Sequence, residues 1–245
     1  SDWSSDVCSS DLGAAPGSPL PDPAPASLPP GLLVIDLSAL WAGPLCTHLL
    51  GLLGARVVKV ESVSRPDGSR RGPAGFFDLL NGGKEHLSLD LPREIGRLRE
   101  LVAGADLVVE SSRPRALRQM GLSAEEVVAE GTSWLSITAR GRDSDSVGFG
   151  DDVAACAGHV LQDGDDLIPV GDALADPLAG VVAALRAAAA LDAGRATLLD
   201  VSMLDVARSA RLGEVEPHEV LRRADGWHVV TADGEAPVLE PRTRS

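Results

Sequence analysis

The chain has 245 residues, 44% of them hydrophobic, which suits one large domain or two small ones around a real core. The net charge of −14 argues against a general nucleic-acid binder but leaves room for an anionic small ligand held by local positive charge. No stretch is apolar and long enough to span a membrane, because Arg186 interrupts the Ala-rich run Val181–Leu191.

From the N-terminus, Asp2–Leu12 has no helical or strand period and looks like a translated sequencing-adapter oligonucleotide. Gly13–Pro30 is rich in Pro, Ala and Ser, and residues 1–30 therefore read as a disordered leader. Leu32–Leu37 is a buried first strand. Ser38–Pro44 is a turn, Leu45–Leu53 a helix closed by Gly54, and Arg56–Val60 a β-branched second strand. This strand–turn–helix–strand order is a βαβ unit, which implies a parallel sheet. GxGxxG is absent, and Ala42-Gly43-Pro44 cannot supply the same nest of amides because proline has no N–H.

Ser62–Gly75 is a Gly/Pro/Arg/Ser loop, and Phe76–Leu80 is short and apolar. Asn81–Lys84 turns into a strand at His86–Leu89, followed by an amphipathic helix over Pro92–Val102. Leu107–Val109 is a third core strand, and Glu110–Pro114 is its exit loop. Short helices follow at Ala116–Met120 and Ala124–Glu130, the latter capped by Ser123, then a strand at Trp134–Thr138. Arg140–Gly150 is polar and Gly-rich, the most mobile-looking internal segment. Asp152–His159 is helical and Leu167–Val170 extended. Asp176-Pro177 opens a long helix over Leu178–Leu191, with the acid as N-cap and the proline at the first helical position. Thr197–Val201 is a strand, Ser202–Arg208 a helix, and Trp227–Thr231 an isolated strand.

Two basic clusters, Arg65/Arg70/Arg71/Lys84 and Arg113/Arg115/Arg118, read by default as solvated faces. Cys8, Cys46 and Cys156 lack metal-ligand spacing, so no metal site is expected. Cys46 and Cys156 sit among apolar residues and read as core fillers. With no CxxC and no secretory signal, the simplest compartment is the cytoplasm. The excess of arginine over lysine suggests a GC-rich, bacterial coding sequence.

Several segments together resemble one family. They are Val34-Ile35-Asp36-Leu37, Ala42-Gly43-Pro44, Leu53–Glu61, Asn81-Gly82-Gly83-Lys84, Leu87–Asp90, Ala105–Glu110 with Arg113-Pro114, Gly121-Leu122, Ala175-Asp176 with Gly180, and Leu199–Ser202. In this order they resemble the class III CoA-transferases of the CaiB/BaiF type, a superfamily that includes formyl-CoA transferase and the α-methylacyl-CoA racemases. The resemblance covers residues 32–208 and implies an α/β, Rossmann-like, mostly parallel sheet flanked by helices. Residues 31–208 would form the large domain and 209–245 a remnant of the small one, reduced or missing. A gene cut short at its end would account for that length.

The resemblance implies that Asp176 is the catalytic carboxylate, attacking an acyl-CoA thioester and carrying CoA as an aspartyl thioester to an acceptor acid. Such a carboxylate must stay ionised yet be shielded from water. Trp41, Ala42, Ser111, Ser112, Arg113 and Arg118 are the implied CoA contacts, although Ser111-Ser112 replaces the Asn-Phe of many members. CoA and acyl-CoA are then substrates, with no permanently bound cofactor, and the working form is an interlocked homodimer with neither nucleic acid nor membrane as partner. A racemase would need a histidine in a Gly-His-Asp segment, where this chain reads Gly150-Asp151-Asp152. Racemase chemistry and a non-catalytic acyl-CoA-binding remnant are the alternatives. Asp152 is expected to be structural, and Asp172 structural or solvent-facing.

Overall fold

A computed structural model of the chain describes residues 27–73, 75–112, 114–163, 166–211, 219–232 and 234–237. It divides into two units, Ser1–Arg211 and Leu212–Ser245.

The first unit is built on a six-stranded sheet of β1 (Leu33–Asp36), β2 (Arg56–Ser62), β3 (Glu85–Leu89), β4 (Leu107–Glu110), β5 (Ser133–Thr138) and β8 (Leu198–Ser202). The spatial order is β3-β2-β1-β4-β5-β8, and every pairing is parallel. This is the doubly wound order of dinucleotide-binding folds, reached without a dinucleotide fingerprint.

The strands alternate between two apolar layers. Val34, Leu107, Val109, Leu135 and Ile137 face one cluster, with α1 (Ala42–Leu52), α6 (Gly150–Cys156), α7 (Ala175–Asp192) and α8 (Met203–Ser209). Ile35, Val58, Val108 and Trp134 face the other, with α3 (Ile95–Ala103), α4 (Pro114–Gln119) and α5 (Ala124–Ala129). Helices on both faces of a parallel sheet bury its hydrogen-bonded interior from water on each side. Cys46 is wholly buried in the first layer, and Cys156 packs partly buried against it.

Small residues let α1 and α7 approach closely. Ala179, Ala183 and Ala187 recur every four residues on the buried stripe of α7. A methyl group at Gly180 would stand 2.7 Å from the Ala42 carbonyl oxygen.

Several sequence expectations are corrected. Leu28 is not in a disordered leader: its side chain is buried in the first layer and its N–H donates to Leu53 O at 2.9 Å. Helix α1 begins at Ala42, so Gly43 and Pro44 belong to its first turn, where a missing N–H costs nothing. Helix α7 begins at Ala175, which makes Leu174 the cap residue and places Asp176 inside the first turn. Helix α3 starts only at Ile95, because Asp90–Glu94 closes a turn of its own. Phe76–Asn81 forms α2, and the extended segment near 167 is half of a hairpin, β6 (Val160–Asp163) with β7 (Asp166–Pro169). In the second unit, the strand at Trp227 is β10 (Gly226–Thr231), paired with β9 (Glu219–Arg223) and β11 (Gly234–Pro237). Its two partner strands are almost wholly exposed, so they carry no apolar alternation to read.

The first basic cluster is no uniform solvated face. Lys84 is buried, and its Nζ lies 2.9 Å from Asp36 Oδ2, 3.0 Å from Pro44 O and 2.8 Å from Asn81 Oδ1. Thr47 donates to the same Asp36 oxygen at 2.7 Å, and the Ser38 amide and hydroxyl donate to the other. Buried Lys59 pairs with Asp67 at 2.9 Å and donates to Ser38 O at 2.9 Å. Asp67 in turn accepts from the Leu40 amide at 3.0 Å. Arg70 chelates Glu61 and stacks 3.8 Å over the Phe77 ring. Burial by itself would raise the Asp36 pKa, but Lys59, Lys84 and the hydroxyl donors outweigh it and hold the carboxyl below its ordinary value. This buried lattice fixes the loop between β1 and α1, where Leu40 adopts φ 70°.

Removing one partner of a buried pair leaves the other charged and unpaired. Lys84→Met is therefore expected to lower unfolding free energy by about 3–5 kcal/mol in denaturant titration, whereas Arg56→Met, which breaks the exposed Arg56–Glu85 pair, should leave it nearly unchanged.

Candidate functional site

The sheet order reverses between β1 and β4, and in open α/β sheets ligands sit outside the carboxyl ends of strands at such a point. A cleft of about 760 Å³ opens there. Its walls come from the loop after β1 (Ala39, Leu40, Ala42), the loop after β4 (Ser111, Ser112), the end of β5 (Ile137, Thr138) and the segment after it (Ala139, Ser144 to Phe149), and Asp176 and Met203. The Ala39 amide donates to Ser111 Oγ at 3.3 Å, tying the first two loops together across the reversal.

Asp176 stands where three helix starts meet. It lies in the first turn of α7, and the backbone N–H groups of Ala42, the first residue of α1, and Gly150, the first residue of α6, favour the charged form of its carboxylate. First-turn amides have no partner within their own helix and carry the positive end of its dipole. Gly150 must be glycine: a methyl group there would lie 2.5 Å from the Ala173 carbonyl oxygen and closer still to Asp176 Oδ2.

The side chain is half-buried, and burial is the largest influence on its charge. It raises the pKa from 3.8 to about 6, against the two amide bonds and with help from the negative charges of Asp151 and Asp152. The helix starts therefore do not make Asp176 a strong acid. It is more basic than a free aspartate and still mostly ionised at neutral pH.

The neighbouring acids have structural partners. Asp152 accepts from the Phe149 amide at 2.6 Å and starts α6. Asp151, at the histidine position of racemases, accepts from the Ala173 amide at 2.6 Å. Asp172 is exposed. The segment after β5 is less loose than its composition suggests. Arg142 donates from Nη1 to Ser136 at 2.6 Å, from Nη2 to Glu125 at 2.7 Å, and from its backbone N–H to Asp200 at 2.8 Å.

Of the sequence-derived contacts, Asp176, Ala42, Ser111 and Ser112 share the cleft. Ser112 also donates to buried Glu110 at 2.7 Å. Trp41 is not among the lining residues: it is half-buried and meets Phe76 edge-on at 5.1 Å. Arg118 is exposed and does not line the cleft, and Arg113 lies outside the described residues. Arg65 and Gln119 do line it, and Arg65 is its cation among the described residues. The sequence signal for Arg65 was only its membership of a basic cluster. Among the described residues no group of three or more His, Cys, Asp or Glu could hold a metal ion, and no helix is long and apolar enough to cross a membrane.

The model of CoA-transferase family III matches residues 30–215, most of the first unit and all of its sheet. The chain belongs to CoA-transferase family III. Among similar family III proteins, the succinyl-CoA:glutarate CoA-transferase of Mus musculus is 29% identical, the match covering 82% of this chain and 56% of that protein. The acetyl-CoA:oxalate CoA-transferase of Acetobacter aceti is 32% identical over 71% of this chain and 50% of that one. The chain thus spans about half the length of these curated relatives. A crystal structure of the hypothetical protein Rv3272 from Mycobacterium tuberculosis superposes with a TM-score of 0.73 at 29% identity, covering 85% of this chain and 66% of that one. These likenesses agree with the α/β fold and the mostly parallel six-stranded sheet of this family III chain.

Proposed function

We propose that this protein moves coenzyme A between carboxylic acids, with Asp176 as the covalent carrier. The observation that carries the reading is the half-buried, ionisable Asp176 carboxylate, which lines the cleft of a family III chain with the Ala42 and Gly150 amides favouring its charge.

The steps balance without a redox partner. A carboxylate oxygen of Asp176 attacks the thioester carbonyl of the donor acyl-CoA and CoA thiolate leaves, giving a mixed anhydride. The thiolate then attacks the aspartyl carbonyl, which releases the donor acid and leaves an aspartyl-CoA thioester. The acceptor carboxylate attacks that thioester, and the expelled thiolate captures the acceptor's acyl group, restoring Asp176. The attacks on the aspartyl anhydride and on the aspartyl thioester build negative charge on Asp176's own carbonyl oxygen. The influence of the Ala42 and Gly150 N–H groups on that carboxylate supports a role for them in stabilising this charge. A pKa of about 6 makes the attacking oxygen more nucleophilic than that of a free aspartate while leaving it charged at neutral pH.

Ser111, Ser112 and Gln119 offer hydrogen bonds along the cleft, and Arg65 offers charge to a phosphate group. Leu40, Ile137, Ala139 and Met203 supply its apolar lining. Family membership supports a cytoplasmic homodimer, and the names of the relatives suggest dicarboxylates as acceptors to try first. The racemase alternative is less well supported, since Asp151 is engaged by the Ala173 amide.

The test is to incubate the protein with succinyl-CoA and glutarate or oxalate and follow both thioesters by mass-resolved chromatography. The proposal expects a new acyl-CoA to appear as succinyl-CoA falls, with little free CoA. Hydrolysis alone, or CoA binding with no exchange across a broad panel of acids, would overturn it.

A further inference from the structure

The turn that delivers Asp176 is strained, and one exposed carboxylate holds it. Ala173 adopts φ 47°, a left-handed conformation that is strained for a residue with a Cβ. Its carbonyl accepts from the Asp176 amide at 2.9 Å, so the pose of Ala173 sets where α7 begins. Its own amide points the other way, to Asp151 Oδ1 at 2.6 Å. Asp151 follows Gly150, whose backbone lies so close to the Asp176 carboxylate that a methyl group there would meet its Oδ2. Residues 150, 151, 173 and 176 thus form a closed loop of contacts, in which the start of α6 grips both the turn and the carboxylate.

We propose that Asp151 is a positioning residue, whose hydrogen bond to the Ala173 amide holds the strained turn and so aims Asp176 into the cleft. The inference rests on Asp176 being the nucleophile. It gives Asp151 the work of a clasp and no proton transfer of its own. Asp151 also contributes negative charge near Asp176. The other charged groups around Asp176 are Asp152 on α6, Asp172 in the preceding turn, and Asp145 and Arg65 along the cleft. On the helices packed against α7, α1 carries only His48 and Cys46 as titratable groups, and α8 carries Asp205 and Arg208. Of these charges, Asp151 and Asp152 raise the pKa of Asp176.

Two substitutions separate the hydrogen bond from the charge. Asp151→Asn keeps an acceptor oxygen and loses the charge, whereas Asp151→Ala loses both. The site is exposed and alanine suits a helix, so both variants should fold. For Asp151→Ala the expectation is faster hydrogen exchange at the Ala173 amide by about tenfold or more. Its kcat should fall by roughly ten- to a hundredfold, with the KM for acyl-CoA little changed. Asp151→Asn should restore slow exchange and most of kcat, and move the acid limb of the rate profile to lower pH. Wild-type exchange at Ala173 in Asp151→Ala would overturn the clasp. So would a kcat loss in Asp151→Asn equal to that in Asp151→Ala, which would instead indicate proton transfer by Asp151. Exchange at Ala173 does not depend on the reaction. A wild-type protein without transferase activity would therefore refute the proposed function while leaving the clasp to be judged by exchange alone.

Discussion

Asp176→Asn is expected to abolish CoA transfer, by at least about 10³-fold in kcat, while making the folded protein more stable near neutral pH. The loss follows from chemistry: an amide oxygen is too weak a nucleophile to open a thioester, whereas its shape and its place beside the Ala42 and Gly150 amides can remain. The gain in stability follows from burial. A carboxyl group that keeps its proton to about pH 6 in the fold, against 3.8 in an open chain, favours the folded state by about 3 kcal/mol less once ionised. The sign is that of a raised acid. The cost is absent below pH 3.8, grows as pH rises toward 6, and is full above it. Thermal midpoints of the variant and the wild type should therefore coincide near pH 4 and separate by pH 7, with Asp176→Asn the higher. In the active protein, kcat/KM should rise with pH through an acid limb near 6, because only the ionised carboxylate attacks. A variant with equal or lower stability at pH 7 would mean that the carboxylate is not strained by burial.

Gly150→Ala is the second large effect. The added methyl group would lie 2.5 Å from the Ala173 carbonyl oxygen, inside any tolerated contact with backbone. The start of α6 would have to move, and with it the amide that holds Asp176. A shift of about 1 Å at a reacting group can cost about 10²-fold, so kcat should fall at least that far, with a stability loss of about 1–3 kcal/mol. Gly83→Ala is the control, since a methyl group there meets nothing within 4 Å. Melting curves and steady-state rates on the two variants distinguish a local clash from a general intolerance of substitution.

Much of the fold could be read from residue patterns. Short β-branched runs separated by helices, with Gly54 closing the first, imply the parallel sheet that is present. The readings that failed depend on tertiary contact. Leu28 lies in a Pro-rich stretch, and only its packing against α1 shows that it is core. Lys84 looks like part of an exposed basic group until Asp36, forty-eight residues away, is placed beside it. Strands β9 and β11 show no alternation because both their faces meet solvent. Pro177 was read as the first helical position and Pro44 as the end of a turn, yet each sits at the third helical position, so both helices begin earlier than expected.

The site divides in the same way. Asp176, the proposed nucleophile, was legible because its side chain sits in a recognisable segment. The Ala42 and Gly150 amides that favour its charge were not, since a backbone N–H leaves no trace in residue identity. Gly150 and Gly180 are the nearest thing to a signal, as each marks a close approach that a side chain would block. Arg65 and Gln119 reach the cleft through loop geometry alone, and Trp41, next to Ala42 in sequence, turns to Phe76 instead.

The most direct test of the covalent role of Asp176 is a chemical trap. The protein is incubated with an acyl-CoA donor, quenched with neutral hydroxylamine, digested and mapped by mass spectrometry. The account predicts a hydroxamate on Asp176, dependent on the donor and absent from Asp176→Asn. Turnover of the donor in the exchange assay with no modification at Asp176, or with the hydroxamate on another carboxylate, would contradict it.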